Sequence, residues 1–148
     1  MWNQPEIKIN LTLIRHGKTP SNREHRYEGK SYEDLKNDSY YQKWIDSNGT
    51  LPFPEGESQQ EYIKRCHRGL LTATKIIEEK IAREIAENQM TENQPRNITA
   101  VVHGGTIMAL LHILAGGNYF DYQVKNGGGY CCKLRLCGEE WKLDSLEE

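Results

Sequence analysis

Two stretches far apart in this chain share one plan, an apolar β-branched run that stops abruptly at a histidine followed by glycine. The first is Leu11-Thr12-Leu13-Ile14-Arg15-His16-Gly17-Lys18-Thr19, and the second is Ile98-Thr99-Ala100-Val101-Val102-His103-Gly104-Gly105-Thr106. Short runs of this composition bounded by glycine predict buried strands. A buried strand that ends in polar residues delivers them to the edge of its sheet. Open α/β sheets bind ligands beyond the carboxyl ends of their strands, so two such strands in one parallel sheet would bring His16 and His103 to the same edge. The pairing carries more information than either histidine alone.

The rest of the chain supplies the elements such a sheet needs. Lys8 to Arg15 reads as the first strand, and Thr19-Pro20-Ser21-Asn22 offers cap and turn chemistry after it. Arg23 to Asn37 is dense in charge and reads as loop and short helix. Tyr40, Tyr41 and Trp44 recur at helical spacing on the next element, and packing is the simpler use for them. A proline-punctuated loop, Leu51 to Ser58, precedes the strongest helical pattern. There Tyr62, Ile63, Cys66, Leu70, Ala73, Ile77, Ile81 and Ile85 recur on one face from Ser58 to about Asn88. The His103 strand runs into an apolar helix from Thr106 to Leu114, closed by Gly116-Gly117. Two alternating runs, Tyr130 to Cys137 and Trp141 to Leu143, joined at Gly138-Glu139, predict a terminal hairpin.

A chain of 148 residues is one domain, taken as 1–148, and is long enough to bury a sizeable core. Its net charge of −2 excludes a strongly basic nucleic-acid footprint while leaving room for a local cationic pocket, so small anions fit better than polymers. Nothing in it suggests a membrane span. Cys66, Cys131, Cys132 and Cys137 form no C-x-x-C pair, which suits neither zinc nor a disulfide framework; they read as reduced thiols of a cytoplasmic protein. The start, Met1 to Glu6, lacks the pattern of a secretory signal. His25, His67 and His112 have no partners at informative spacing and read as structural or surface residues.

An arginine–histidine pair at a strand end has a defined use on phosphate. A neutral imidazole attacks phosphorus, a guanidinium holds two oxygens in its fork, and a second histidine shares the charge that develops. Glycine after each histidine lets backbone and ligand approach closely, and the helix opening at Gly104-Gly105 presents free N–H groups to an anion.

At these residues the chain resembles the histidine phosphatases, the phosphoglycerate mutase-like superfamily. Leu13-Ile14-Arg15-His16-Gly17-Lys18-Thr19 with Asn22 is similar to the family's opening signature, and Val101 to Ile107 is similar to its second histidine segment. Leu51 to Ser58 resembles the loop before its long helix, and Gly29 to Leu35 resembles the α-ribazole phosphatase branch. The resemblance implies a three-layer α/β/α domain around a mostly parallel sheet. It implies that His16 is the phosphorylated nucleophile, that Arg15 and His103 bind the phosphoryl group, and that Gly17, Thr19, Asn22 and Gly104 contact the substrate. Asparagine also caps helices routinely, which is the plainer use for Asn22. No metal and no cofactor are implied.

The chain also departs from the family. A Ser-x-Leu-x-Arg-Ala-x-x-Thr-Ala-like block, which supplies a second arginine and precedes the carboxylic acid that protonates the leaving oxygen, is not found between the first histidine and the proline loop. Arg26-Tyr27-Glu28-Gly29 runs directly into what would follow it, as after an internal deletion. Arg23, Arg26 and Arg65 are candidate replacements for the arginine, and Glu24, Glu28 and Glu55 for the acid. Such a deletion would expose a sheet edge that a homodimer could cover. The expected activity is hydrolysis of a small phosphorylated metabolite, a phosphomonoester, through a phosphohistidine on His16. The alternatives are a weakly active or inactive pseudo-phosphatase that binds a phosphate ligand, and a phosphoglycerate mutase-type phosphotransferase.

Overall fold

A computed structural model describes residues 6–18, 26–27, 30–47, 51–52, 56–88 and 94–148. Strand β1 (Glu6–Arg15) is central, flanked by β4 (Arg96–Val102) on one side and β5 (Gly129–Cys137) on the other; β6 (Glu140–Glu147) completes a sheet of order β4-β1-β5-β6. β2 (Arg26–Tyr27) and β3 (Lys30–Ser31) form a separate two-stranded ladder, followed by α1 (Tyr32–Leu35) and α2 (Ser39–Asp46). The long α3 (Gln59–Ala86) precedes β4, α4 (Gly104–Ala115) follows it, and a 3-10 turn (Tyr119–Tyr122) leads into β5.

The expected α/β fold is present, with a difference in strand direction. β1 and β4 run parallel, whereas β1–β5 and β5–β6 are antiparallel. The closing hairpin, turned at Gly138 with φ of 65°, sets the β5–β6 direction, since a hairpin joins its strands antiparallel. β4 follows β1 through a helical crossover and runs parallel to it.

Alternation along β1 decides which face is buried. Ile7, Ile9, Leu11 and Leu13 share one face, and Ile9 and Leu13 are buried there with Ile107 and Leu111 of α4 and with Tyr130, Cys132 and Leu134 of β5. Burying a side chain of this size contributes roughly 1.5–3 kcal/mol, so this cluster is the main stabilising unit. α3 and α4 both lie over this face. Among the described residues the opposite face, with Lys8, Asn10, Asn97, Thr99, Val101 and Cys131, is open to solvent and carries no second helical layer. Its residues are mostly polar, as a wetted sheet face requires.

The helices match their sequence signals closely. Ser58 caps α3 through a capping box with Glu61, so the helix begins where the sequence placed it. Its apolar stripe packs partway: Ile81 is buried, Ile85 is exposed, and an apolar groove of about 380 Å³ remains between α3 and the sheet. Thr74 on α3 is buried and accepts a hydrogen bond from the Trp141 indole at 2.8 Å, tying α3 to β6. Asp38 caps α2, on which Tyr41 is buried and stacked on Trp44 while Tyr40 is exposed. The four cysteines are free thiols. Among the described residues no helix is long and apolar enough to cross a membrane.

Candidate active site

The β1–β4 register aligns Arg15 with Val102, so the residues that follow, His16 and His103, leave the sheet side by side. The His16 N–H donates to the Val102 carbonyl at 3.0 Å, which extends the ladder one residue past the strand. The two imidazoles meet edge to face, with ring centroids 4.8 Å apart and planes at 84°. His16 Nδ1 lies 2.7 Å from the Gly17 carbonyl oxygen. A carbonyl only accepts, so Nδ1 carries the hydrogen and Nε2 is left as the lone-pair nitrogen of the neutral ring.

His103 stands at the N-cap of α4 with extended backbone and makes no side-chain cap bond. Its ring is therefore not consumed in closing the helix, and the first N–H groups of α4 face outward at Gly104 and Gly105. Helix α4 begins two residues before the Thr106 expected from sequence, because the glycine pair continues straight from the histidine. Gly104 lets the arginine pack closely: a Cβ there would come 3.0 Å from Arg15 Nε. The Arg15 side chain thus lies under the first turn of α4. Its Nη1 donates to the Val124 carbonyl at 2.7 Å, while its Nε is buried without a partner among the described residues.

A third segment, between the 3-10 turn and β5, closes the site. Arg15 N–H donates to the Gly128 carbonyl at 2.8 Å, Gly127 N–H donates to the Arg15 carbonyl at 2.9 Å, and Asn126 Nδ2 donates to the His16 carbonyl at 3.1 Å. Gly127 takes φ of 77°, a conformation open to glycine. The resulting cleft, about 900 Å³, is lined by Arg15, His16, Lys18, His103, Gly104, Gly105, Met108, Gln123, Val124, Lys125 and Asn126. Five of these are arginine, lysine or histidine and none is acidic, a lining complementary to an anion.

Of the residues singled out in the sequence, Arg15, His16, His103 and Gly104 are brought together here, and Gly17 follows His16 as the acceptor of its Nδ1 hydrogen. Thr19 and Asn22 lie outside the described residues, as do Arg23, Glu24, Glu28 and Glu55, and Arg26 is described in its backbone only. Arg65 is placed elsewhere. It is bound by Glu57 through Nε and Nη2, lies over the Tyr62 ring, and lines the apolar groove instead of the cleft. The same guanidinium holds the Glu57 carboxyl below the usual carboxylate range. His112 is structural, with Nδ1 donating to the Gly117 carbonyl at 2.8 Å just past the end of α4.

Sequence reasoning overlooked Lys125 and Asn126. Their one signal was the run Gly127-Gly128-Gly129, which marks a close backbone approach. Around the cleft, Tyr62 shares a hydrogen bond with Thr106 Oγ1 at 2.6 Å, and the Tyr119 hydroxyl donates to the Gly105 carbonyl at 3.3 Å. Burial pushes the Tyr119 phenol up to about 12 and raises Tyr62 as well, so both keep their hydroxyl hydrogens near neutrality and tie the α4 terminus.

Comparison with known proteins returns a family and a fold. The family model of the histidine phosphatase superfamily (branch 1) matches residues 25–148. The matched range includes the His103 segment, and the His16 segment lies just before it. No curated protein sequence matches the chain. Among solved structures, the fold is similar to that of an Escherichia coli K-12 protein proposed to be an α-ribazole-5′-phosphate phosphatase, with a TM-score of 0.57 and 14% identity over 95% of this chain and 96% of that one. It is equally similar to the α-ribazole phosphatase of Shigella flexneri, with a TM-score of 0.57 and 15% identity over 94% and 96% of the two chains.

Proposed function

Because the chain belongs to the histidine phosphatase superfamily (branch 1), whose membership supports a phosphatase- or mutase-type activity, we propose that it hydrolyses a small phosphomonoester through a phosphohistidine on His16. The observation that carries this reading is the His16–His103 pair, 4.8 Å between centroids, with the Nδ1 hydrogen of His16 committed to the Gly17 carbonyl. That bond orients the ring and leaves Nε2 as the nucleophile.

The reaction proceeds in two displacements. Nε2 of His16 attacks phosphorus; the P–N bond forms as the bond to the ester oxygen breaks, and the alkoxide leaves with a proton. Water then attacks the phosphohistidine, giving a proton to the carboxylate left by the first step; the P–N bond breaks, and inorganic phosphate departs while His16 and the acid return to their starting forms. Arg15, His103 and the N–H groups at the α4 terminus surround the site where the phosphoryl oxygens gain charge, and no acidic residue lines the cleft among the described residues. The proton for the leaving oxygen is assigned to an acid among Glu24, Glu28 and Glu55.

Hydrolysis is favoured over phosphotransfer because the block absent between the first histidine and the proline loop is material that would shield a phosphoenzyme. A mutase must keep water from its phosphoenzyme. The likeness to α-ribazole phosphatases makes an α-ribazole phosphate a substrate to assay first. The test is turnover of an aryl phosphate across pH, without added metal, for the wild type beside His16→Ala and His103→Ala. The proposal expects activity in the wild type and its loss in both variants. Folded wild type with no activity above the His16→Ala background would leave the binding-module reading in its place.

A further inference from the structure

We infer that Lys125 is a substrate-binding cation of this cleft, held at a fixed position beside His16 by the glycine loop that joins the 3-10 turn to β5. The inference rests on the phosphoryl-transfer reading of the site and names a residue for it that the histidine motifs do not contain.

The first observation is placement. Lys125 lines the same cleft as His16 and His103, though 109 residues of sequence separate it from His16, and it forms no ion pair among the described residues. A lysine without a carboxylate partner in an anion-complementary cleft retains its full charge for a ligand. Arg65, the sequence-nominated cation whose side chain is described, is already neutralised by Glu57 and lines another groove.

The second observation is rigidity. Lys125 sits within a loop bound to the catalytic strand end on both sides. Val124 accepts from Arg15 Nη1, Asn126 donates to the His16 carbonyl, and Gly127 and Gly128 exchange backbone hydrogen bonds with Arg15. The Lys125 carbonyl itself accepts from Gly128 N–H at 2.8 Å, closing the turn. The glycines permit this approach, since a Cβ on Gly128 would come 3.0 Å from the Lys125 carbonyl oxygen and one on Gly129 would come 1.9 Å from that of Leu13. Loops ordinarily wander relative to the elements they join. This one is fixed to the two residues that would contact phosphorus, so the backbone of Lys125 keeps a constant offset from them and its exposed side chain starts from the rim of the cleft.

The experiment measures binding of inorganic phosphate by calorimetry together with kcat and KM on an aryl phosphate, for wild type, Lys125→Gln, Lys125→Arg and Lys133→Gln. Lys133 is exposed on the open sheet face and serves as the control for a lost surface charge. Lys125→Gln should weaken phosphate binding about tenfold or more, the usual consequence of losing a charge-assisted contact. Its binding should also depend less steeply on ionic strength. Lys125→Arg should restore most of the affinity, and Lys133→Gln should match wild type. Wild-type phosphate affinity in Lys125→Gln overturns the inference, whether or not the enzyme turns over. A wild type that binds phosphate without turnover, with binding weakened in Lys125→Gln, upholds Lys125 and removes the phosphatase reading. A wild type that does neither removes both.

Discussion

Gly129→Ala is the sharpest perturbation the site offers. The new Cβ would stand 1.9 Å from the Leu13 carbonyl oxygen and 2.9 Å from its carbon, both backbone atoms of the central strand. To bring the oxygen contact to 3.0 Å, β5 must retreat from β1 by about 1.1 Å at the point where β1 presents Arg15 and His16. A retreat of that size breaks the two backbone bonds between Arg15 and Gly127–Gly128, now 2.9 and 2.8 Å. Two hydrogen bonds at about 1 kcal/mol each, with overpacking of about 1–3 kcal/mol, give a destabilisation of about 3–5 kcal/mol. That is a large part of the roughly 5–15 kcal/mol total of a typical domain. Urea unfolding measures it, and Gly69→Ala is the companion variant. Gly69 lies within α3 with open space at its Cβ position, so alanine there should stabilise by about 0.5–1 kcal/mol. Where Gly129→Ala remains folded, misplacement of the loop by about 1 Å should lower kcat/KM about a hundredfold. A stability loss under about 1 kcal/mol, or unchanged kcat/KM, would refute the claim that this contact sets the site's geometry.

Other expectations concern single groups. Trp141→Phe removes the donor to Thr74 Oγ1 and should cost about 1 kcal/mol in urea unfolding with kcat unchanged, since both residues lie away from the cleft. A maleimide should label Cys131 in the folded protein and spare Cys132 by mass spectrometry, because Cys131 is exposed while Cys132 is buried with its thiol pushed up to about 11. Tyr119, held protonated to about 12, binds its proton more tightly in the folded chain than in the unfolded one. The unfolded chain therefore ionises first, and this contribution is intact below about pH 10 and lost as pH rises toward 12. Tyr119→Phe should flatten the stability profile over that interval; an unchanged slope contradicts the assignment.

The legible part of this chain was local. β1, β4 and the histidines at their ends are written in short stretches of residue type, and the register that pairs Arg15 with Val102 follows once both strands enter one sheet. Ser58 marked the start of α3, and the capping box it forms with Glu61 sets that boundary in the structure. What escaped was made by tertiary contact. Lys125 and Asn126 resemble any polar pair before a turn, and only the packing of the glycine run against Leu13 brings them to His16. The open sheet face was hidden for a related reason. Alternation in β1 reports one apolar and one polar face, while the family resemblance implied helices over both. Arg65 illustrates the converse: its type suited a phosphate pocket, but Glu57, eight residues earlier, holds it over Tyr62.

The central claim is that His16 Nε2 takes the phosphoryl group from substrate, and trapping that species tests it most directly. Protein mixed with a phosphorus-32-labelled phosphomonoester and quenched in alkali within milliseconds should carry label on His16, located by peptide mapping. The label should be acid-labile, chase to inorganic phosphate, and be absent from His16→Ala. Turnover with no label on any histidine, or with label on a residue other than His16, would contradict the account.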